Sequence, residues 1–414
     1  MHILIAPDSF KGSLTAPEAA RAIEKGLKDS SLAFTSQLTP LADGGEGTVD
    51  CLVRSAGGRF VTARVQDPLD REITARYGLI EESSADNSKE SSDSSARDRR
   101  MSSQNPTSAE KQQVQTTAVL EMAAASGLPL LKDSEKNPAL TTSYGTGQLI
   151  KDALDRGADK IILGIGGSAT NDAGLGMASA LGARFLSASG EELKGIGRNL
   201  ARVDKIDLSK LVPRIPKTKI EVACDVDNPF YGPEGAAHIY AAQKGADSEM
   251  IAELDAGLRH LADLIARDLD CDLQQIPGSG AAGGLGGGLS VFLGAQLRSG
   301  TLMILEFLKI PAQITRSDIV ITGEGKCDQQ SSRGKVVGAL AKHCAAADTP
   351  LLVLCGSHDR DLTQLYHQGV TSAFSILNRP VSLKTAIAET DELLTLTAQN
   401  LGRLINRLKY QDNK

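Results

Sequence analysis

Polar loops that combine glycines with carboxylates, hydroxyls and lysines follow several apolar segments of this chain. They lie at residues 8–11, 43–48, 166–172, 225–228 and 324–335. Each preceding segment has the composition of a buried strand, and in an open α/β sheet ligands bind beyond the carboxyl ends of the strands. Phosphoryl transfer needs this mixture: amides and lysines hold phosphates, carboxylates hold Mg²⁺, and one carboxylate takes the proton of an attacking hydroxyl. The repetition of such loops predicts one functional cluster at a sheet edge.

Residues 160–175 show this pattern most completely. An apolar run that suits a buried strand leads into a loop of small and hydroxylic residues, and a glycine- and alanine-rich helical pattern follows. The loop offers close backbone approach and donors for phosphate oxygens, from Gly166, Gly167, Gly174, Ser168, Thr170 and Asn171. Asp172 fits less well, because a carboxylate near phosphate is repelled unless a metal ion or proton lies between them. Taken alone, the loop is equally consistent with a tight packing turn, and it is weak evidence for a dinucleotide site.

The common nucleotide-binding and hydrolase motifs are missing from the sequence. There is no G-x-x-x-x-G-K-[ST] loop, no H-R-D or D-F-G set and no G-x-S-x-G elbow. Of the histidines, only His358 beside Ser357 would suit catalysis, and its simpler interpretation is a solvated loop histidine. The sequence therefore disfavours acyl transfer and the common kinase designs.

Composition limits the class of ligand. The chain has 414 residues, enough for two domains, with a formal net charge of -6 and 3% aromatic residues. An acidic chain with few aromatics argues against nucleic acid as a partner. Six cysteines without a C-x-x-C pair predict reduced thiols in the cytoplasm. No apolar run approaches the length of a membrane span, so we expect neither a signal peptide nor a membrane anchor.

The first part of the chain predicts units of strand, loop and helix, followed by a segment with a different pattern of secondary structure. Residues 1–6 predict a strand, and Thr15 with Glu18 has the spacing of a capping box at a helix start. Three short alternating runs then favour an antiparallel meander, at residues 60–65, 73–80 and 117–122. Residues 82–115 are built largely from Ser, Asp, Glu, Lys, Arg and Gln, which predicts a long disordered excursion between two of these strands.

The later part of the chain again predicts units of strand, loop and helix. Residues 248–269 predict an amphipathic helix. The most glycine-dense segment, 277–288, precedes an apolar helical run at 289–297 and favours either close approach to a ligand or a hinge. Strands predicted at 318–322 and 350–354 lead into polar loops at 323–328 and 355–357, and a packing helix begins at Leu383.

With its motifs taken in order, the chain resembles the bacterial glycerate kinases over nearly its whole length. The matching segments are 6–11, 42–48, 121–128, 142–147, 164–172, 223–225 with 228–229, 280–284 and 321–325. The resemblance implies ATP-dependent phosphorylation of D-glycerate, at the 2-hydroxyl, to give 2-phosphoglycerate. It also implies an α/β fold of two domains, in which a Rossmann-like parallel-sheet domain made from both chain ends carries an inserted mixed α/β domain. We place the first domain at 1–59 and 290–414 and the inserted domain at 60–289.

The sequence departs from the family pattern in two places. Relatives carry a short turn where this chain has residues 82–115, so we expect that segment to be dispensable for catalysis. After residues 331–335 the family tends to have a proline at the position of Val337 and a glycine at that of Ala339. This second departure weakens any role given to Lys335.

Our hypothesis is an Mg²⁺-dependent kinase that transfers phosphate in line, without a covalent enzyme intermediate. Asp43 is the predicted base at the glycerate hydroxyl, and Lys11 the clamp on its carboxylate or on the moving phosphoryl group. Asp8 and Ser9 complete the catalytic set, and Glu324 with Asp328 is expected to hold the metal. Contacts to substrate or phosphate are predicted for a larger set: Gly44, Gly45, Glu46, Gly166, Gly167, Ser168, Thr170, Asn171, Asp172, Asp225, Asn228, Gly283, Gly284, Gly325, Gln330, Ser331 and Lys335.

Two other classes of function stay open at this point. An NAD-dependent oxidoreductase of a small hydroxy acid would use residues 164–169 as its dinucleotide loop, although no clear acidic ribose ligand follows about 20 residues later. A non-catalytic metabolite-binding protein would keep the same fold with idle carboxylates. The expected partners are D-glycerate and a nucleotide, with neither nucleic acid nor membrane. The oligomeric state is open, with a homodimer as one option.

Overall fold

The computed structural model describes residues 1–45, 47–83, 114–328, 331 and 335–409 of the chain. The strands are β1 (His2–Ile5), β2 (Thr35–Leu38), β3 (Arg59–Gln66), β4 (Glu72–Ser83), β5 (Val114–Glu121), β6 (Lys160–Gly164), β7 (Arg184–Leu186), β8 (Lys205–Asp207), β9 (Lys219–Ala223), β10 (Gln296–Arg298), β11 (Ile319–Cys327), β12 (Leu351–His358) and β13 (Val370–Ser375). The helices are α1 (Ala16–Asp29), α2 (Thr48–Ser55), α3 (Ala123–Ser126), α4 (Tyr144–Asp155), α5 (Leu175–Ala180), α6 (Ala236–Tyr240), α7 (Ser248–Leu269), α8 (Leu285–Leu293), α9 (Gly300–Phe307), α10 (Ile310–Ile314), α11 (Val336–Ala346), α12 (Thr363–Gln368), α13 (Leu383–Ala388) and α14 (Thr390–Lys409). Among these helices none is long and apolar enough to cross a bilayer.

The two ends of the chain form a parallel sheet in the order β13-β12-β11-β1-β2. Its inner strand β1 is buried on both faces, because Ile3 and Ile5 pack in the cluster under α1 and α14 while Leu4 packs in the cluster on the opposite face. Thr15 and Glu18 form the predicted capping box at the start of α1. A parallel sheet with helices on both faces confirms the Rossmann-like expectation.

The middle of the chain forms a mixed sheet in the order β10-β9-β6-β5-β4-β3. Strands β3, β4 and β5 pair antiparallel, as the meander prediction required, whereas β5, β6, β9 and β10 run parallel to one another. The predicted excursion at 82–115 is too long at both ends, because Glu82 pairs with Gln115 and Ser83 with Val114 in the β4–β5 ladder. Backbone pairing does not require apolar side chains, so the polar composition gave no sign that these residues belong to strands. Residues 84–113 lie outside the described residues.

A single apolar cluster connects the facing sides of the two sheets. It contains Leu4 and Val353 from the parallel sheet, Val119 and Ile162 from the mixed sheet, and Val49, Met303 and Leu340 from α2, α9 and α11. These helices therefore form a layer that both sheets share. The division into residues 1–59 with 290–414 and residues 60–289 remains a prediction, and β10, which follows residue 290, pairs with β9 of the mixed sheet.

Three elements of the later part of the chain were predicted with wrong ends. Strand β11 continues through Glu324 to Cys327 and β12 through Ser357 to His358, because the two strands stay paired beyond their apolar parts. Helix α8 begins at Leu285, inside the glycine-dense segment, and residues 296–298 form β10 instead of continuing the helix. Glycine is permitted in α8 because Gly287 and Gly288 lie against Phe230 and Ala173, where a side chain would not fit. Helix α7 spans Ser248–Leu269, as predicted.

Candidate active site

Asp8 lies at the carboxyl end of the parallel sheet, directly after β1. Its amide donates to the Gly323 carbonyl at 2.8 Å, which ties the loop after β1 to β11. Its carboxylate accepts the Ser9 amide at 2.6 Å. Burial, and next the charge of Asp43, raise the pKa of Asp8 to about 6. The sheet thus holds a carboxyl group that gives up its proton near neutral pH.

Asp43 lies beside Asp8, on the loop that enters α2. Its carboxylate accepts Lys11 Nζ at 3.3 Å and the Gly45 amide at 3.1 Å. Burial opposes the charge on Lys11, but Asp43, Asp8 and Glu324 outweigh it and raise the pKa of Lys11. The Lys11 side chain is 73% exposed, so its ammonium can move from Asp43 to a ligand.

Glu324 adds a third carboxylate from β11. It is 9% exposed and accepts the Ser331 hydroxyl at 2.5 Å. Burial raises the pKa of Glu324 to about 7, and Asp8 acts in the same direction, while Ser331 and Lys335 oppose the shift. Gly325 lies close to the loop after β1, since a Cβ on Gly325 would lie 3.5 Å from the backbone nitrogen of Lys11. The corner holds more carboxylate than lysine charge, which suits a cationic ligand.

The mixed sheet supplies a fourth carboxylate, Asp225, at the end of β9. It accepts the Ser299 hydroxyl at 2.9 Å and the Gly300 amide at 3.0 Å, at the amino end of α9. Burial raises its pKa, and Asp43 contributes to the shift. Contact between the sheets is close here, because a Cβ on Gly44 would lie 2.8 Å from the Gly300 Cα. The φ of Gly44 is +86°, which also favours glycine.

The loop after β6 reaches the same place. A Cβ on Gly166 would lie 3.4 Å from the Gly45 Cα, so the loop at 166–172 contacts the loop that carries Asp43. Asp8, Lys11, Asp43, Asp225, Glu324 and Gly166 are therefore brought together at the carboxyl edges of both sheets. This is the position at which α/β sheets bind ligands.

A model described as the glycerate kinase family matches residues 3–406. The chain belongs to the glycerate kinase family. It is 43% identical to a glycerate kinase from Halalkalibacterium halodurans, over 97% of each chain. It is 40% identical to a glycerate 2-kinase from Escherichia coli, over 97% of this chain and 96% of the relative. A crystal structure assigned as glycerate kinase 2 from Salmonella typhimurium LT2 superposes with a TM-score of 0.82 at 39% identity, covering 99% of each chain. Family membership makes the protein a kinase and sets aside the oxidoreductase and non-catalytic alternatives.

Some residues predicted for the site of this kinase are buried beside it instead. Thr170, Asn171 and Asp172 are each 0% exposed. Asp172 accepts the Ser143 amide at 2.7 Å, the Ser143 hydroxyl at 2.8 Å and the amides of Gly174 and Gly176 at 3.2 Å. Burial raises its pKa. In this arrangement Asp172 shapes the loop, whereas Thr170 Oγ1 and both side-chain amide atoms of Asn171 are buried without a hydrogen-bond partner among the described residues. The ligand contacts predicted for the loop stay predictions.

Asn228, Gly283 and Gly284 also have structural partners in the kinase. The Asn228 amide donates to the Glu234 carbonyl at 2.9 Å and accepts the Tyr240 hydroxyl at 2.5 Å. Gly283 and Gly284 have φ values of +71° and +86° and lie against Asn171 and Ala173. The glycine-dense segment therefore supports the loop after β6 through close backbone packing.

The assignment of Glu324 and Asp328 as metal ligands stays a prediction. Ser331 connects the two predicted ligands, because its hydroxyl donates to Glu324 and accepts the Asp328 amide at 3.1 Å. The Asp328 carboxylate, however, pairs with Lys326 at 3.2 Å. Within the described ranges, no group of three or more His, Cys, Asp or Glu side chains is arranged to hold a metal. Glu46 and Gln330 lie outside the described residues.

Sequence reasoning missed Lys244, Ser143 and Ser299, which contact the predicted loops. Lys244 Nζ donates to the Ser168 hydroxyl oxygen at 2.7 Å, and Ser143 and Ser299 donate to Asp172 and Asp225. Ser143 was within reach of the sequence, because it lies in the family motif at 142–147. Lys244 had no local signal, since a lone lysine in a polar turn predicts solvent exposure.

Proposed function

We propose that this chain phosphorylates D-glycerate with ATP to give 2-phosphoglycerate by direct in-line transfer. The observation that carries the proposal is the cluster of Asp8, Asp43 and Glu324 around Lys11, in a chain of the glycerate kinase family. The glycerate oxygen forms a bond to the γ-phosphorus as the bond from that phosphorus to the bridging oxygen of ADP breaks. The hydroxyl proton passes to a carboxylate of the chain. The relative named glycerate 2-kinase supports the 2-hydroxyl as the acceptor.

Asp43 is the carboxylate best placed to take that proton. It accepts the Lys11 ammonium at 3.3 Å, and its charge acts on both Asp8 and Asp225, so it lies between the carboxylates that the two sheets supply. The Gly45 amide fixes its orientation through the bond to Oδ1. Lys11 can leave Asp43 to bind the glycerate carboxylate or the moving phosphoryl group, which would also free Asp43 to accept the proton.

The carboxylates fit Mg²⁺ as a companion of ATP. Burial is the main cause of the raised pKa values of Asp8 and Glu324, and a neighbouring carboxylate adds to each shift, Asp43 at Asp8 and Asp8 at Glu324. A divalent cation would relieve that repulsion. Mg²⁺ needs only one or two protein carboxylates, because phosphate oxygens and waters complete its shell. When bound, it would neutralise charge on the phosphates. We therefore assign Asp8 and Glu324 as its ligands and retain Asp328 as an outer member that acts through Ser331.

The loop after β6 is proposed to hold the phosphates of the nucleotide. Gly166 and Gly167 permit close backbone approach, and their loop contacts the loop that bears Asp43. We place Asp225 with the glycerate hydroxyls, because it lies across the same space from Asp43. The proposed location is the cytoplasm, where ATP and reduced thiols occur together.

Coupled detection of ADP release on addition of D-glycerate tests the activity. We expect release that requires D-glycerate, ATP and Mg²⁺ together, and that stops on chelation of the metal. A binding titration with NADH in place of ATP serves as the control and should give no signal. Absence of glycerate-dependent ADP release from folded protein would contradict the proposal.

A further inference from the structure

Lys244 is a buried lysine that takes no part in the proposed reaction. It ends the turn Ala242–Lys244, which follows α6, and it is 1% exposed. Removing an ammonium from water is unfavourable unless other groups replace its hydration. Burial lowers the pKa of Lys244 to about 7, while the nearby charge of Asp172 opposes that shift. A lysine in this position is expected to serve a particular arrangement of its neighbours.

Both direct partners of Lys244 belong to the loop after β6. Its Nζ donates to Ser168 Oγ at 2.7 Å and to the Thr170 carbonyl at 2.6 Å. The backbone of the same loop is held from the other side, by the Leu128 amide on the Gly167 carbonyl and by the Ala169 amide on the Ser126 carbonyl, both at 2.9 Å. Ser168 is therefore fixed in place, and the remaining freedom of its side chain is the direction of the hydroxyl proton.

The charge state of Lys244 decides that direction. A lysine ammonium has three donors and no acceptor, so Ser168 Oγ must be the acceptor in this pair. Its own O–H must then point elsewhere. Among the residues that the structure describes, Ser168 has no acceptor for this proton. Ser168 is 7% exposed and lies two residues after Gly166. While Lys244 is charged, the hydroxyl is held as a donor, without an acceptor among the described residues, beside the loop of Asp43.

We propose that Lys244 is a positioning residue that holds the Ser168 hydroxyl as a hydrogen-bond donor to a phosphate oxygen of the nucleotide. This inference rests on the proposed function. Phosphate oxygens accept hydrogen bonds and carry charge, so a hydroxyl polarised by an ammonium is a stronger donor to them than an isolated one. Lys244 itself stays behind Ser168 and does not contact the ligand.

A double-mutant cycle tests the proposal through Ser168→Ala, Lys244→Met and the combination. We expect each single variant to raise the KM for ATP by about tenfold, which is typical for loss of a hydrogen bond to a charged group. The KM for D-glycerate and the kcat should stay within about threefold in the same assays, because neither residue touches the acceptor. The double variant should be no more than about twofold worse than either single variant, because both changes remove the same contact.

Lys160→Met is the matched control. Lys160 lies at the opposite end of β6 and pairs with the buried Glu221 at 2.7 Å, so its loss should lower stability and leave the KM for ATP unchanged. Effects of Ser168→Ala and Lys244→Met that multiply in the double variant would overturn the proposal. So would an unchanged KM for ATP in Ser168→Ala, a variant that keeps Lys244 and removes a single oxygen. Lack of glycerate-dependent ADP release by the wild type would instead refute the proposed function.

Discussion

At the scale of single residues, one lysine serves several carboxylates. Lys11 pairs with Asp43 at 3.3 Å and also lies in the field of Asp8 and Glu324. Asp8 and Glu324 are stabilised in the protonated form by burial, with pKa values of about 6 and 7. Such a site is incomplete without cations, and a metal bound to a nucleotide would supply them. Asp43 and Glu324 therefore have separate roles in the proposed reaction.

Asp43→Asn should abolish most turnover while the protein stays folded. An amide cannot accept the hydroxyl proton, so we expect kcat at saturating substrates to fall by roughly 10²–10⁴-fold. The measurement is steady-state kinetics with both substrates varied. Asp50→Asn is the control, because Asp50 lies seven residues further on in α2, pairs with Arg76 and should leave kcat unchanged. Near-normal turnover by Asp43→Asn would remove Asp43 as the base.

Glu324→Gln should raise stability at alkaline pH while lowering activity. Burial raises the pKa of Glu324 from its ordinary 4.5 to about 7, so between these pH values the folded state binds more protons than the unfolded state, and stability falls as pH rises. Glutamine does not ionise, so the variant should exceed the wild type by roughly 1–3 kcal/mol at pH 8 and match it near pH 4.5. Urea unfolding at both pH values measures this difference.

Glu253→Gln, on the exposed face of α7, is the control and should show no such pH-dependent gain. An equal gap between Glu324→Gln and the wild type at the two pH values would contradict the assigned proton uptake.

The sequence predicted many of the residues that the structure brings together, because carboxylates at strand ends are visible as a pattern. Asp8, Lys11, Asp43, Asp225 and Glu324 were all found in this way. Their roles as base, clamp and metal ligand remain predictions. The sequence could not distinguish Asp172, which lies in an equally polar loop but is enclosed by Ser143 and two glycine amides. Burial of a loop side chain depends on tertiary contacts, which local composition does not encode.

At the scale of elements, strand ends were harder to predict than strand existence. β11 was predicted to end at residue 322 but continues to Cys327, because β12 pairs alongside it as far as His358. The apolar pattern stops where side chains meet the site, whereas the backbone ladder continues. Glu324 is consequently held on a rigid strand instead of a loop, which limits the movement of its carboxylate.

The β4–β5 pairing predicts that residues 84–113 can be replaced by a short turn. Ser83 lies opposite Val114, so an Asn-Gly dipeptide has the length and conformation to join the two strands as a hairpin. We expect the shortened protein to fold and to retain kcat within about threefold, because both strand ends keep their partners. Steady-state kinetics and circular dichroism are the measurements. Loss of folded protein would assign a structural role to the segment.

At the scale of the whole molecule, the two sheets are joined by one apolar layer. Leu4 and Val353 on one side and Val119 and Ile162 on the other belong to the same cluster, together with α2, α9 and α11. Composition and hydrophobic periodicity predicted the α/β class and the change from strand, loop and helix units to antiparallel strands in the middle of the chain. They could not predict this shared layer, because it is formed by residues distant in sequence that meet only in the fold.

The shared layer predicts one cooperative unfolding transition. Separation of the sheets would expose the apolar faces of both, so neither sheet is expected to remain folded without the other. Calorimetry and far-UV circular dichroism of the ligand-free protein should give the same midpoint. Two resolved transitions would contradict this expectation and would support independent folding of residues 60–289.

Phosphorus NMR of the product formed from D-glycerate, ATP and Mg²⁺ tests the central claim most directly. A phosphate ester on the secondary carbon couples to one proton, whereas an ester on the primary carbon couples to two. We predict a new ester resonance that is a doublet, which identifies 2-phosphoglycerate, together with the signals of ADP. A triplet would show transfer to the 3-hydroxyl, and the absence of any new ester signal from folded enzyme would contradict glycerate phosphorylation.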